Sequence, residues 1–141
     1  MKNLTSILLL IFFTTILFSE VHAQERVKSE KYVMQTDQLI RQVKNIQTYL
    51  SRETKFKKAF PDASKKIEEH SFARTSYFLK AKKAFQNDEM EVAVKSLRSA
   101  REIIKGDVGL LREVRDREVT SEILRLEREL GRSVDSMLRD F

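Results

Sequence analysis

The sequence predicts an all-α fold, a four-helix antiparallel bundle or a set of helical hairpins, that follows a cleaved signal peptide. The 141-residue chain has one proline and three glycines, so few positions interrupt a helix. Apolar residues recur three or four positions apart along most of the chain, as they do on one face of a helix. No stretch of useful length alternates with the period of two that a strand requires.

The first 23 residues have the three-part pattern of a secretory signal. Lys2 is followed by an apolar run from Ile7 to Phe18, and the segment closes with Val21-His22-Ala23. The alternative is an uncleaved anchor, but this run of 12 is shorter than the roughly 20 residues that span a bilayer. We expect cleavage before Gln24. Residues 24–141 then form a single all-helical domain that is exported, to the periplasm or the extracellular space.

Two helices are predicted in the first half of this domain. The first runs from about Glu25 to Phe56, and Pro61 opens the second, which runs to about Gln86. The apolar stripe of the first helix is formed by Val33, Ile40, Val43, Ile46 and Leu50. The stripe of the second helix is formed by Ile67, His70, Arg74, Tyr77, Ala81 and Ala84.

Two more helices are predicted after a break at Asn87-Asp88, where Asp88 has the spacing of a helix cap. Gly106 is expected to end the third helix and Asp107 to cap the fourth. Gly131 permits a local break inside the fourth helix. The stripe of the third helix is Met90, Ala93, Leu97, Ala100 and Ile104, and that of the fourth is Val119, Ile123, Leu126, Leu130, Val134, Met137 and Phe141.

Residues 77–100 resemble one tetratricopeptide (TPR) helix pair. A large aromatic, Tyr77, precedes the small Ala81 by four residues, and a small–large–small triplet follows at Ala93, Leu97 and Ala100. The resemblance implies TPR-like helical hairpins that bind another protein. It departs from the repeat pattern at Ala84, where an aromatic is expected, and no second copy follows. A plain bundle therefore stays the alternative, because any two closely packed helices can produce this spacing.

The charge is positive and unevenly distributed. The net charge is +6, with 19 basic and 11 acidic residues over positions 24–106, against 7 basic and 9 acidic over positions 107–141. The excess of basic residues over positions 24–106 indicates a surface that attracts anions. For an exported chain the expected anions are lipid head groups, acidic polysaccharides and acidic proteins, and nucleic acid is not expected.

One basic cluster is a candidate binding site for anionic lipid or polysaccharide. Phe56 and Phe60 are interleaved with its charges, around the corner between the first two helices. The alternative is a solvated corner whose two phenylalanines close the end of the core. We call this cluster the basic corner: Arg52, Lys55, Lys57, Lys58, Lys65 and Lys66.

The end of the fourth helix is a candidate surface for another protein. If this helix outruns its neighbours, its apolar strip is exposed and binds a partner helix or forms a homodimer. The strip consists of Leu130, Val134, Met137 and Phe141.

The side chains that catalysis requires are scarce. The domain has no cysteine and one histidine, His70, and its neighbours Glu68 and Glu69 lack the spacing that places two ligands on one helix face. We therefore predict no enzyme, no metal and no cofactor. His70 and Arg74 either form a polar pocket in the bundle or lie at the edge of the apolar stripe with their polar ends in water. The second interpretation is favoured.

The leading functional hypothesis is an exported, non-enzymatic helical adaptor that binds another protein of the cell envelope. The first alternative is an envelope protein that binds anionic lipid or polysaccharide through the basic corner. The second is a carrier of a small ligand, which would be held in a bundle-core pocket near His70.

Overall fold

A computed structural model of the chain describes the backbone of residues 2–114 and 116–141, and the side chains of residues 23, 26–114 and 116–141. This part of the chain contains five helices and no strand, which confirms the all-α prediction. The helices are α1 (Lys2–Arg52), α2 (Thr54–Ala59), α3 (Pro61–Gln86), α4 (Met90–Glu113) and α5 (Arg117–Leu138).

The four long helices form a closed antiparallel bundle. Each packs on the next along the chain, and α5 packs back on α1. Contacts between distant residues give the directions: Lys82 on α3 reaches Asp37 on α1 at 2.8 Å, and Arg101 on α4 reaches Asp135 on α5. The short α2 fills one end, where it touches α1, α3 and α5. Four amphipathic helices with short connections bury their stripes most completely in this arrangement.

Small residues let α3 and α4 approach closely. Ala81 on α3 and Ala93, Leu97 and Ala100 on α4 are all fully buried. These are the residues that carry the TPR resemblance, and their burial shows close packing of two helices. The pair lies within a single bundle, so the repeat itself stays an interpretation.

The corner between α1 and α3 differs from the prediction of a first helix that continues through Phe56. The helix stops at Arg52, and the Glu53 carboxylate caps α2 by accepting a hydrogen bond from the backbone N–H of Lys55 at 3.0 Å. This break turns Phe56 inward, where it is fully buried. Pro61 is the first residue of α3, as predicted.

The predicted break at Gly106 is wrong. The α4 helix continues through Gly106 and Gly109 to Glu113. Asp107 does not cap a new helix, because its side chain is buried and paired with residues of α3. Asp116 is the N-cap of α5, with its carboxylate accepting from the backbone N–H of Val119 at 3.2 Å.

Two smaller predictions about helix ends also need correction. Glu89, rather than Asp88, precedes the first residue of α4, and Asp88 takes a left-handed backbone conformation with φ of 58°. Gly131 does not break α5. A Cβ atom at this glycine would lie 3.3 Å from Cγ2 of Ile104, so the missing side chain permits a close approach of α5 to α4.

The expected apolar strip at the end of α5 is not exposed. Leu130 and Val134 are fully buried and Met137 is 2% exposed, because α5 packs along its whole length between α4 and α1. Only Phe141 is exposed, at 47%, and its ring lies 4.8 Å from that of Tyr32. Leu130, Val134 and Met137 are therefore part of the core and do not form a surface for a partner.

The predicted signal peptide, residues 1–23, falls almost entirely on positions whose side chains lie outside the described residues. Their backbone, from Lys2 onward, belongs to α1. Among the described residues, no helix has both the length and the apolar character needed to cross a bilayer. Export stays a prediction.

Core packing on α5 can be tested at Leu130. Replacing this fully buried side chain by alanine is expected to lower the free energy of unfolding by about 2–5 kcal/mol, because a cavity remains in the core. Leu79→Ala is the matched control, since Leu79 is 52% exposed and its truncation should cost less than about 1 kcal/mol. Urea unfolding followed by circular dichroism gives both values. Equal stability of the two variants would contradict the burial of the α5 strip.

Candidate functional site

A cluster of buried charges joins three helices inside the bundle. The Arg74 guanidinium on α3 is fully buried. Its Nη1 donates a hydrogen bond to Oε2 of Glu127 on α5 and lies 3.2 Å from Oδ2 of Asp107 on α4. Its Nη2 donates to the Ser71 hydroxyl at 2.8 Å. His70 completes the set, with Nδ1 at 2.6 Å from Oδ1 of Asp107. We call His70, Arg74, Asp107 and Glu127 the charge cluster.

The charge cluster corrects the favoured interpretation of His70 and Arg74. Both were expected at the edge of a stripe with their polar ends in water, yet Arg74 is fully enclosed and His70 keeps 31% of its side chain exposed. A guanidinium is buried only when carboxylates compensate it. Its partners come from two other helices, and neither was singled out as a partner from sequence.

Burial dominates the ionisation of the two carboxyl groups. It raises the pKa of Glu127 to about 7, although Arg74 opposes the shift. Burial also raises the pKa of Asp107, against Arg74 and His70. Three buried atoms of the charge cluster have no hydrogen-bond partner among the described residues: Arg74 Nε, Asp107 Oδ2 and Glu127 Oε1. Asp107 Oδ2 lies within ion-pair distance of Arg74 but lacks the angle of a hydrogen bond.

A histidine paired with a buried aspartate also occurs in catalytic triads. A triad needs a nucleophile on the other ring nitrogen. Among the described residues, His70 has Asp107 as its one hydrogen-bond partner. No group of three or more potential metal ligands occurs in that part of the chain.

A cleft of about 700 Å³ runs between α4 and α5, and Glu127 of the charge cluster lines it. The buried Ile104 and Gly131 and the half-buried Val108 line it where the two helices meet, and Gly109 lines its outer edge. Six basic residues and one further acidic residue, Asp135, also line it. We call this the basic cleft, and its cations are Arg101, Lys105 and Arg112 on α4 with Arg125, Arg128 and Arg132 on α5.

Half of these cations already have partners. Arg101 holds Asp135 through two hydrogen bonds of 2.5 and 2.7 Å, which lowers the pKa of Asp135. Arg125 pairs with Glu122 and Glu129, and Lys105 pairs with Glu102.

The remaining three cations of the basic cleft, Arg112, Arg128 and Arg132, are exposed and form no ion pair with any described residue. Guanidinium groups bind carboxylate and phosphate oxygens through paired hydrogen bonds. The basic cleft therefore presents unused anion-binding capacity.

The basic corner has a different character. Arg52, Lys55, Lys58, Lys65 and Lys66 are exposed around α2, and Lys57 is half-buried. Phe56 is in the core, and the Phe60 ring lies 6.0 Å from it. The aromatics thus close the end of the bundle. Phe56 and Phe60 therefore do not project beside the charges of the corner, and the nearest strongly exposed aromatic on α3 is Phe72, seven residues after Lys65.

The residues of the basic cleft were not identified from sequence as a site. Arg101 and Lys105 were placed in one helix and Arg112 in the next, because Gly106 was taken as a helix end. The residues after Asp107 also carry more acidic than basic side chains. The spacing of the arginines does indicate one rim of the cleft, since Arg125, Arg128 and Arg132 recur three and four positions apart on a single helix face.

Stability should depend on pH through Glu127. Its pKa is raised from 4.5 to about 7 in the folded protein, so the folded state binds a proton between these values that the unfolded state does not. The contribution of Glu127 to the free energy of unfolding is therefore fully present below pH 4.5. It is lost as the pH rises through 7, and the loss amounts to up to about 3 kcal/mol.

Glu127→Gln should remove this contribution, while Glu129→Gln, a change at a surface ion pair of the same helix, should retain it. Urea unfolding of all three proteins at pH 5 and pH 8 tests the difference. An identical pH dependence in the Glu127 variant and the wild type would show that Glu127 does not titrate as described.

Arg74 should contribute strongly to stability for a different reason. Arg74→Met leaves Asp107 and Glu127 buried without their cation, which is expected to cost about 3–5 kcal/mol at pH 8. Arg132→Met, at an exposed arginine, is the control and should cost less than about 0.5 kcal/mol. The double variant Arg74→Met, Glu127→Gln should recover part of the loss. Equal stability of the two single variants at pH 8 would contradict the ion pairing of Arg74.

Comparison with known proteins adds no candidate function. The chain matches no protein-family model, no curated protein sequence and no solved structure. The TPR resemblance of residues 77–100 thus gains no support from a family model and stays a prediction.

Proposed function

We propose that the protein is an exported, non-enzymatic helical adaptor that binds an acidic segment of another envelope protein in the basic cleft. The observation that carries this proposal is the set of three exposed arginines, Arg112, Arg128 and Arg132, without ion-pair partners among the described residues. Unpaired arginines on two facing rims attract a partner and hold it in a defined register.

The length of the cleft favours a polypeptide ligand with several negative charges over a single small anion. The rim cations run over about 16 Å of the α4 axis, from Arg101 to Arg112, and over about 10 Å of the α5 axis, from Arg125 to Arg132. Among the described residues, Arg112 on the first rim and Arg128 and Arg132 on the second have no ion-pair partner. One phosphate or carboxylate contacts two or three guanidinium groups at most. Spaced carboxylates along a polypeptide can engage both rims.

The sequence pattern of residues 1–23, which is that of a secretory signal, supports localisation in the cell envelope. An exported chain meets acidic proteins, lipids and polysaccharides. The rims are rich in arginine, which matches carboxylate geometry through paired hydrogen bonds. An acidic protein is therefore the preferred partner.

The basic corner supports a second candidate function, the binding of anionic lipid or polysaccharide. Five of its six cations are exposed around a short helix. A surface of flexible lysines binds any polyanion weakly and with strong salt dependence. Nothing there fixes the register of a ligand, so this function is ranked second.

The carrier alternative has the least support. The space beside His70 is filled by Asp107, which pairs with His70 and Arg74, and by Arg74, which also pairs with Glu127. A small ligand near His70 would have to replace these ion pairs.

Binding of labelled poly-L-glutamate to the full chain, purified from the cells that express it, tests the proposed surface. The cleft variant Arg112→Glu, Arg128→Glu should weaken binding at least tenfold at moderate salt, because it reverses two rim charges. The corner variant Lys55→Glu, Lys65→Glu changes the net charge equally and should weaken binding less than threefold. Fluorescence anisotropy measures both affinities.

The reverse ranking of the two variants would overturn the cleft proposal in favour of the basic corner. Heparin and vesicles that contain anionic lipid serve as comparison probes. Tighter binding of either one than of poly-L-glutamate, and its loss in the corner variant, would support the second candidate instead.

A further inference from the structure

A second, smaller cavity lies between α1 and α5, whereas the basic cleft lies between α4 and α5. Its volume is about 200 Å³, and the buried Leu39 and Met137 line it on the side of the core. Positions three and four apart lie on one face of a helix, so the polar side chains that α1 contributes form a single row. We call this cavity the glutamine pocket, and its polar lining is Gln35, Gln38 and Gln42 on α1 with Ser133 and Ser136 on α5.

Two buried acceptor atoms of the glutamine pocket are unused. Oε1 of Gln35 and Oε1 of Gln42 have no hydrogen-bond partner among the described residues. The Ser133 hydroxyl donates its proton to the Glu129 carbonyl at 3.0 Å, so it accepts from Nε2 of Gln42 at 3.1 Å. This contact orients the Gln42 amide and leaves its oxygen free. Buried polar atoms almost always have a partner, so the two oxygens require a hydrogen-bond donor from outside the chain.

The lining of the glutamine pocket favours a neutral ligand. No described residue that lines it is charged, although 34% of the residues in the chain are. Lys31 and Asp140 lie one helical turn beyond the pocket, and they neutralise each other in an ion pair of 3.1 Å. An anion would face the two free oxygens, and a cation would find no carboxylate to compensate it.

A ligand with several hydroxyl groups meets these requirements. Each hydroxyl donates one hydrogen bond and accepts others, and the amides of the pocket also do both. The volume is below the roughly 300 Å³ at which pockets for drug-sized ligands begin, so a single ring enters rather than a long chain. A free sugar and the end residue of a polysaccharide share this chemistry.

From these features we infer that the glutamine pocket binds one neutral sugar ring, whose hydroxyl groups donate to the free oxygens of Gln35 and Gln42. The inference goes beyond the proposed function and does not depend on it, because the glutamine pocket and the basic cleft have no lining residue in common. It also differs from the second candidate function, in which the cations of the basic corner hold an anionic polymer.

Isothermal titration calorimetry of the full chain with glucose, galactose and N-acetylglucosamine tests the pocket. At least one of these neutral sugars should bind saturably. Its affinity should agree within twofold at low and high salt, because no charge takes part in the contact. Dextran, a neutral polymer of glucose, distinguishes the two sources of the ligand, since tighter binding of dextran than of glucose would identify a polysaccharide.

The double variant Gln35→Met, Gln42→Met removes both free oxygens and keeps the length of the side chains. It should weaken sugar binding at least tenfold. Gln47→Met is the matched control, because Gln47 is half-buried on the same helix, does not line the pocket and should change the affinity less than twofold. Ser136→Leu fills the exposed mouth of the pocket without altering the core and should also weaken binding at least tenfold. Circular dichroism checks that each variant remains helical.

The inference is overturned if none of the neutral sugars binds saturably. Equal affinity of the wild type, the double variant and Ser136→Leu would overturn it as well, because the sugar would then bind elsewhere. Loss of binding in these two variants together with its retention in Gln47→Met would support the inference. The binding of poly-L-glutamate, which tests the basic cleft, is expected to stay within twofold of the wild type in all of these variants.

Discussion

The bundle depends on one buried guanidinium. Arg74 lies at a point where α3, α4 and α5 meet, and two carboxylates from different helices compensate its charge. A charge without water around it has few acceptable geometries, so this contact fixes the axial register of three helices at once. The charge cluster thus adds a directional constraint to the packing of the apolar side chains.

The same arrangement links the core to the surface. Glu127 pairs with Arg74 and also lines the basic cleft, so a core residue sets part of the electrostatic potential that a ligand meets. Asp135 and Arg101 contribute a second, more exposed pair on the same cleft. The cations left over by these pairs are the ones on which the proposed function rests. Net charge over a long segment does not reveal this, because opposite charges are sorted onto different faces of a helix.

The all-α class and the antiparallel order were predictable, because they follow from the spacing of apolar residues and from scarce glycine and proline. The ends of the helices were less predictable. Gly106 favours a helix end, but burial of Asp107 against Arg74 keeps α4 continuous, and that contact joins residues 33 positions apart. The basic cleft could not be predicted for the same reason, since its rims are separated along the chain and joined only by packing. The burial of Arg74 likewise required knowledge of its distant partners.

Gly131 gives the cleft a simple means of adjustment. The distance between two packed helices depends on the side chains at their contact. Because a Cβ at this position would meet Cγ2 of Ile104 at 3.3 Å, an added methyl group requires a shift of a few tenths of an ångström, either of the Ile104 side chain or of α5 relative to α4. The separation of the two rims can thus change through one small substitution that leaves every cation in place. Under the proposed function, such a substitution alters the width of the cleft and leaves its charge pattern unchanged.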